Sequence, residues 1–160
     1  MDWKELADDA RVWIYQADQP LSAAESASIK ELSQDFVDKW SSHGSQMKAA
    51  FSLLHERFLI FFADERQAQA SGCSIDSSVH FVQSLEERFE INFFNRMRVV
   101  YRSEDGLAYF DLPDLDQLLE KGTLNSETLV FDCLVSTKSD FSNSFEKSFS
   151  KTWLSRYLAR

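Results

Sequence analysis

The residues best suited to chemistry in this chain of 160 residues lie in one short run of small and polar side chains, residues 70–76. The run reads Ala-Ser-Gly-Cys-Ser-Ile-Asp and leads into a pattern typical of an amphipathic helix. Backbone N–H groups at the start of a helix, together with the positive end of the helix dipole, attract anions. The expected pocket for a small anionic ligand is lined by Ser71, Gly72, Cys73, Ser74 and Asp76.

The same run also has a purely structural interpretation. Ser74 is placed to be the N-cap of the helix, and Ser74 or Asp76 would then fill the open backbone donors without any ligand. The run differs from a phosphate-binding P-loop, because no Gly-Lys-Ser/Thr ends it and no lysine lies near it. Capping and anion binding both stay open, whereas nucleotide hydrolysis is not expected.

Cys73 offers a second kind of chemistry, because a thiol at the start of a helix can have a lowered pKa and act as a nucleophile. A nucleophile also needs a base, and His80 is the nearest histidine in the sequence. The helical period places His80 on the outer face, opposite the apolar stripe. A free cysteine is more often a small buried hydrophobe, so an enzyme using Cys73 is an alternative to the binding pocket.

Carboxylates provide the third candidate. Asp64 and Glu65 close a predicted strand beside the loop, and with Asp76 they could hold Mg²⁺ or act as acid and base. Adjacent residues at a strand end point in opposite directions, so only one of Asp64 and Glu65 faces the loop. Solvated turn charges are the plainer interpretation. The three histidines show no metal-ligand spacing, and we expect neither a metal nor a cofactor.

The charge balance argues against nucleic acid as a partner. The chain has 26 acidic and 17 basic residues, a net charge of −9, which opposes attraction to phosphate backbones and to anionic lipid surfaces. Arg98 and Arg102 share one face of a predicted strand. The aromatic strand over residues 58–62, however, lacks the glycines and flanking charges of RNA-binding modules.

The N-terminus and the apolar runs indicate a soluble cytoplasmic protein. Residues 1–5 have neither the basic flank nor the apolar stretch of a signal peptide. The longest apolar run, Phe58 to Ala63, is far shorter than the roughly 20 residues that span a bilayer. Only Cys73 and Cys133 are present, without the paired spacing of a disulfide framework or a zinc site.

Alternating strands and helices must position the candidate residues. Strands are predicted at residues 11–16, 48–54, 57–63 and 97–102, and helices after the capping box Ser22–Glu25 and from Ser74 onward. His55 and Glu56 separate the second and third strands, which predicts a tight hairpin. This order is that of a ferredoxin-like βαββαβ core over residues 10–102, in an α+β fold.

The first and third strands are apolar on both faces, and the ferredoxin-like topology makes them central. The helices of such a core cover only one face, so something else must cover the second. Either the aromatic C-terminal segment or a dimer partner could do so. Within that segment a spacing of four predicts a docking helix carrying Phe145, Phe149, Trp153 and Tyr157.

Residues 103–160 form the predicted C-terminal extension of a single domain that spans residues 1–160. Gly106 turns the fourth strand into an added hairpin strand over residues 107–111, and Gly122 caps a short helix over residues 113–121. Residues 128–135 fit a strand or a helix by period alone, and their β-branched and aromatic residues favour a strand.

Four stretches of the sequence resemble a family of small uncharacterised bacterial proteins that are often catalogued as "ABC transporter ATPase". They are residues 11–18, 64–65, 70–79 and 128–131, and the resemblance covers nearly the whole chain. The label would imply ATP binding. The chain has no Walker A run and is shorter than the usual nucleotide-binding domain, and the resemblance implies no established activity or catalytic residue.

The sequence therefore predicts a cytoplasmic binding or accessory protein whose polar pocket at Ser71–Asp76, with Asp64 or Glu65, takes a small anionic ligand. An enzyme using Cys73 or the two acids is one alternative. A dimerisation or scaffold module that works through exposed aromatic side chains is the other. Both a monomer and a homodimer are compatible with the sequence.

Overall fold

A computed structural model describes residues 1–41, 48–64 and 72–158, with the backbone alone at residues 41 and 72–74. It shows an α+β protein with two antiparallel sheets. Close contacts divide the chain into two compact units, which we call unit 1 (Met1–Asn95 and Leu134–Ser142) and unit 2 (Arg96–Cys133 and Asn143–Arg160). The single domain predicted over residues 1–160 stays a prediction.

The helices and strands follow the predicted order through residue 111. Besides short 3-10 turns, the described elements are β1 (Arg11–Gln16), α1 (Ala23–Ser41), β2 (Lys48–Leu54), β3 (Phe58–Asp64), α2 (Gly72–Phe89), β4 (Arg98–Ser103), β5 (Gly106–Asp111), α3 (Leu115–Glu120), β6 (Leu129–Phe131), α4 (Lys138–Ser144) and β7 (Glu146–Ser148). Each of the predicted strands through residue 111 begins and ends within one residue of its observed bounds.

Helix α1 starts at a capping box, as its sequence predicts. The Ser22 hydroxyl accepts the Glu25 N–H at 3.1 Å, and the Glu25 carboxylate accepts the Ser22 N–H at 2.9 Å. Ile29, Val37 and Trp40 of this helix are buried in the core of unit 1. None of the described helices is long and apolar enough to cross a membrane.

The sheet of unit 1 has the order β1-β3-β2, with both pairings antiparallel. The β2–β3 hairpin turns at His55 and Glu56, whose φ angles of 54° and 57° are the left-handed values of a tight hairpin turn. Left-handed φ is unfavourable for residues other than glycine, and two hydrogen bonds hold the turn. Leu21 N–H donates to the Glu56 carbonyl at 2.8 Å, and Ala17 N–H donates to the Arg57 carbonyl at 2.7 Å.

Strand β3 is buried on both faces along its whole length. On one face Phe61 packs against α1 and α2, with its ring centroid 5.5 Å from that of Phe36 and 6.0 Å from that of Phe81. On the other face Trp3 stacks on Phe62 at 4.9 Å, and Phe141 approaches both rings edge-on, at 5.2 and 5.4 Å. Both faces of the central strand are thus covered within unit 1.

The second cover differs from the predicted docking helix. Residues 145–157 form β7 and two 3-10 turns, so the prediction of one α-helix through Phe145, Phe149, Trp153 and Tyr157 is wrong. Phe149 and Trp153 instead belong to the core of unit 2. The covering residues, Trp3 and Phe141, come from the start of the chain and from the short segment 134–142.

The fourth strand also differs from the prediction. A ferredoxin-like core would place β4 beside β1, whereas β4 lies in the second sheet, whose order is β5-β4-β6-β7. The outer edge of β1 is occupied by another segment, since Val12 N–H donates to the Ser136 carbonyl at 2.9 Å and Lys138 N–H donates to the Ala10 carbonyl at 2.8 Å. Among the described strands, the ferredoxin-like order is present only for β1, β3 and β2.

Unit 2 is built around the β4–β5 hairpin. Gly106 has a φ of 119° at its turn, and Gly122 has a φ of 78° just after α3, so both glycines have the predicted roles. Residues 129–131 are a strand, which confirms the predicted element type over a shorter range. The buried core of this unit consists of Val99, Phe110, Leu115, Leu124, Val130, Phe149 and Leu154.

We expect Phe141→Ala to destabilise the protein by about 3–5 kcal/mol, because it removes the ring that covers Phe62 and leaves a cavity. Chemical denaturation monitored by circular dichroism measures this loss. Leu134→Ala is the matched control from the same segment, since Leu134 is 66% exposed and its truncation should cost less than about 0.5 kcal/mol. Equal losses for the two variants would contradict the proposed role of Phe141.

Candidate functional site

The predicted anion pocket lies mostly outside the described side chains. Ser71 and Glu65 are outside the described residues, and only the backbone is described for Gly72, Cys73 and Ser74. Helix α2 begins at Gly72, so Ser74 lies in its first turn and the prediction of Ser74 as N-cap is wrong. The anion pocket itself, and a nucleophilic role for Cys73, stay predictions.

The remaining predicted site residues have contrasting environments. Asp76 is exposed on α2, whereas Asp64 is 6% exposed at the end of β3, opposite Lys48 in the β2–β3 register. His80 is exposed, as the helical period predicts. Within the described ranges, no three His, Cys, Asp or Glu side chains form a group that could hold a metal ion.

A buried pair that sequence reasoning missed fixes the first turns of α2. The Ser78 hydroxyl donates to the Ile75 carbonyl at 2.7 Å and lies 3.2 Å from the Tyr15 hydroxyl of β1. Ser78 is fully buried, and Tyr15 is enclosed by the rings of Phe61 and Phe94. Burial raises the pKa of Tyr15, and the hydrogen bond with Ser78 offsets part of that rise.

Converging polar groups are found at the opposite end of α2. An open depression of about 630 Å³ there, which we call the acidic depression, is lined by Asp18, Gln83, Glu86, Glu87, Glu90, Ile91 and Asn92. Four of these side chains are acidic and none is basic. This depression brings the turn after β1 together with the last turns of α2.

The backbone at the end of α2 shapes this depression. Glu90 follows the helix with a φ of 56°, at a position where glycine or asparagine is usual, and its N–H donates to the Glu86 carbonyl at 2.8 Å. Ile91 and Phe93 are then buried in the core of unit 1. Their burial fixes the direction in which the chain leaves the helix.

Backbone donors hold two of the carboxylates in place. Glu86 Oε2 accepts the Phe93 N–H at 2.8 Å, and Asp18 Oδ1 accepts the Asn92 N–H at 3.3 Å. Asp18 N–H in turn donates to the Asn92 carbonyl at 2.9 Å, which joins the two segments directly. Glu87 and Glu90 are exposed at the surface.

The electrostatic effect of this arrangement is a concentration of negative charge. The last carbonyls of a helix carry roughly half a negative charge, and four carboxylates surround them here. The nearby cation Arg88 lies over the Phe89 ring, at 5.6 Å from its centroid, and does not line the depression. The acidic depression can therefore attract an ammonium or guanidinium group.

Comparison with protein-family models, curated proteins and solved structures finds no match to this chain. The family resemblance noted in the sequence stays an expectation. The acidic depression is therefore interpreted from its own geometry and electrostatics.

The arginines of β4 engage carboxylates within unit 2. Arg98 donates to both oxygens of Asp111, at 2.8 and 3.0 Å, and Arg102 donates to both oxygens of Glu146. The hydrogen bond from Arg98 lowers the pKa of Asp111, and the hydrogen bond with Glu146 raises the pKa of Arg102. Each of these two guanidinium groups therefore has one carboxylate as a bidentate partner.

Cys133 is half-buried in unit 2. Its burial, with a smaller contribution from the neighbouring Asp132 carboxylate, raises the pKa of the thiol to about 12. Asp132 itself pairs with Lys147 at 2.9 Å. At neutral pH the Cys133 thiol stays protonated, so it is unsuited to be a nucleophile.

We expect Tyr15→Phe to lower stability by about 0.5–1.5 kcal/mol at neutral pH, through loss of the hydrogen bond with Ser78. Because the pKa of Tyr15 is raised in the folded state, the unfolded chain ionises first and the wild type loses stability as pH rises above about 10. The variant lacks this loss. The gap between the two free energies of unfolding should therefore narrow from pH 9 to pH 11, and a constant gap would argue against a buried Tyr15.

Cys133 should react with iodoacetamide far more slowly than a model thiol at about pH 8, because its raised pKa leaves little thiolate. Mass spectrometry after tryptic digestion separates its labelling from that of Cys73. In denaturant both cysteines should react at the model rate. Equal labelling rates for Cys133 in the native and the denatured protein would contradict the raised pKa of its thiol.

Proposed function

We propose that this protein recognises a cationic group, a lysine or arginine side chain of a partner protein, in the acidic depression. The observation that carries the proposal is that four acidic side chains, Asp18, Glu86, Glu87 and Glu90, line one open depression. Ammonium and guanidinium groups form their strongest hydrogen bonds with carboxylates. The side-chain amides of Gln83 and Asn92 lie at the same surface and add neutral hydrogen-bonding groups.

The stability cost of this arrangement supports a functional role. Carboxylates near the C-terminus of a helix are unfavourable by about 0.3–1 kcal/mol each at low ionic strength. A left-handed residue other than glycine costs roughly 1–2 kcal/mol more, and Glu90 is such a residue. A chain selected only for stability would place glycine at this position, and Arg88 is the one basic residue in the last turn of α2.

The form of the depression suits a side chain better than a bare metal ion. Its carboxylates do not belong to any described group of three metal-ligand side chains. The depression exposes apolar as well as polar atoms, and these apolar atoms can pack against the methylene stem of a lysine or arginine. Because the depression is open, an extended segment of a partner can reach it.

The anion pocket at Ser71, Gly72, Cys73, Ser74, Asp76 and Asp64 is a second proposal. It is supported by the start of a long helix at Gly72 whose first turn has no acidic side chain to neutralise the dipole. Titration with inorganic phosphate, followed by the amide signals of residues 72–76, tests it. Amide signals that do not shift when phosphate is added would contradict the anion pocket. A cytoplasmic location and membership of the bacterial family likewise remain proposals.

Glu90→Gly should raise the free energy of unfolding by about 1 kcal/mol, because glycine adopts the left-handed conformation without strain and one repulsive carboxylate is removed. Urea denaturation at low salt measures the change. Gly122, which already has a φ of 78° after α3, is the internal reference: Gly122→Ala should destabilise. A less stable Glu90→Gly protein would mean that the Glu90 side chain stabilises the turn.

Cation recognition is tested with a tetralysine peptide and amide chemical shifts at low salt. We expect saturable shifts at residues 86–93 and a several-fold weaker affinity for Glu87→Gln, because one of four carboxylates is neutralised. Glu120→Gln is the matched control, since it removes the same charge from the exposed end of α3. Shifts spread over all acidic surfaces, with equal losses for both variants, would overturn the proposal.

A further inference from the structure

The 3-10 turn Trp153–Tyr157 presents its side chains from a buried base. Phe149 and Leu154, which anchor the turn, are fully buried in the core of unit 2. Thr152 is also buried and joins these two residues, because its hydroxyl donates to the Phe149 carbonyl at 2.8 Å and accepts the Leu154 N–H at 3.1 Å. The backbone of this turn is therefore held in place before any partner arrives.

Arg156 lies across two aromatic rings of this turn. Side chains three residues apart in a 3-10 helix lie one above the other, which places Arg156 over Trp153. The guanidinium carbon is 5.4 Å from the centroid of the Trp153 ring and 5.4 Å from the centroid of the Tyr157 ring. The two rings meet edge-on, with their centroids 6.5 Å apart. Two cation–π contacts thus orient the guanidinium group, while Arg156 stays exposed to solvent.

The two arginines of β4 show what a stacked guanidinium group binds in this protein. Arg98 lies over the Tyr109 ring at 5.6 Å, and Arg102 lies over the Phe131 ring at 5.9 Å. Each of them also donates to both oxygens of one carboxylate. A guanidinium group that stacks through its face keeps its in-plane N–H groups available for a carboxylate.

Arg156 has the aromatic contacts of this arrangement without the carboxylate. Among the residues that the structure describes, no carboxylate pairs with Arg156. The sequence from residue 147 to residue 158 contains Lys147, Lys151 and Arg156 and no acidic residue. Lys147 is engaged with Asp132 at 2.9 Å. In a chain with a net charge of −9, this segment is a local excess of positive charge.

We propose that Arg156 binds a carboxylate of a partner protein, the side chain of an aspartate or a glutamate. The binding surface consists of Trp153, Arg156 and Tyr157, and we call it the Arg156 surface. Two N–H groups of the guanidinium would donate to the two carboxylate oxygens, as they do in β4. The Trp153 and Tyr157 rings are partly exposed and offer apolar contact beside that carboxylate. Tryptophan, tyrosine and arginine are the residue types that most often dominate the binding energy of protein interfaces.

The charge of the whole chain favours a short acidic protein segment over a polyanion. A net charge of −9 repels phosphate backbones and anionic lipid surfaces, because these extend over a large part of the molecule. A single carboxylate meets mainly the local charge, since exposed charges more than about 8 Å away are largely screened at physiological ionic strength. The Arg156 surface and the acidic depression therefore select groups of opposite charge.

Carboxylate binding is tested with a tetraglutamate peptide and the NMR signals of the whole chain at low salt. We expect saturable shifts of the backbone amides of residues 151–158 and of the Trp153 indole N–H, and no such shifts with a tetraglutamine peptide. Arg156→Gln should weaken binding roughly three- to tenfold, because charged hydrogen bonds are lost. Arg156→Lys keeps the charge without the planar fork, so its affinity should lie between those of the wild type and Arg156→Gln.

Arg88→Gln is the matched control for this loss of charge. Arg88 is also exposed and lies over one aromatic ring, that of Phe89, at 5.6 Å. This variant should bind tetraglutamate as the wild type does. Glu87→Gln should not weaken the binding of tetraglutamate, so the result is independent of cation recognition in the acidic depression.

Three results would overturn the proposal. One is a titration to about 10 mM tetraglutamate without saturable shifts at residues 151–158. Another is an equal loss of affinity in Arg156→Gln and Arg88→Gln, because the peptide would then respond to net charge alone. The third is tighter binding of an oligothymidylate or of phosphatidylglycerol vesicles than of tetraglutamate at the same salt concentration, which would assign the Arg156 surface to phosphate groups.

Discussion

The burial of β3 on both faces is the constraint on which unit 1 depends. Every residue from Phe58 to Asp64 is buried, so each face of the strand needs a cover. Helices α1 and α2 cover one face, and Trp3 and Phe141 cover the other. Because Phe141 is far along the chain, the segment 134–142 belongs to unit 1 although residues 96–133 belong to unit 2. The entropy cost of closing that loop is offset by buried contacts, which include Lys138 Nζ donating to the Lys4 carbonyl at 2.7 Å.

Local signals in the sequence were sufficient for most elements of the fold, and long-range partners were not. The capping box at Ser22 and the turns at His55 and Gly106 fixed element bounds, because each depends on neighbours within a few residues. The partner of β4 depends on competition for an edge: the nearby hairpin strand β5 pairs with it, while residues 136–138 occupy β1. The aromatic spacing of four after residue 144 fits a helix, but the serines between those aromatics are poor helix formers.

The acidic depression could be predicted from the sequence only in part. The contact between its two segments could not be predicted, because Asp18 and Asn92 are 74 residues apart in the sequence and are brought together by hydrogen bonds. The acidic end of α2 could be predicted, because the helix ends without a glycine and Glu86, Glu87 and Glu90 lie where the helix dipole disfavours acids. The run of small residues at 70–76 suggested a ligand site through its composition. Composition alone does not distinguish a helix cap from a ligand site.

Helix α2 is held at both of its ends by the same region of the chain. Ser78 near its start bonds Tyr15 of β1, and Asn92 beyond its end bonds Asp18, three residues further on. This double attachment makes the acidic depression a preorganised surface, so binding a cation there requires little ordering of the backbone.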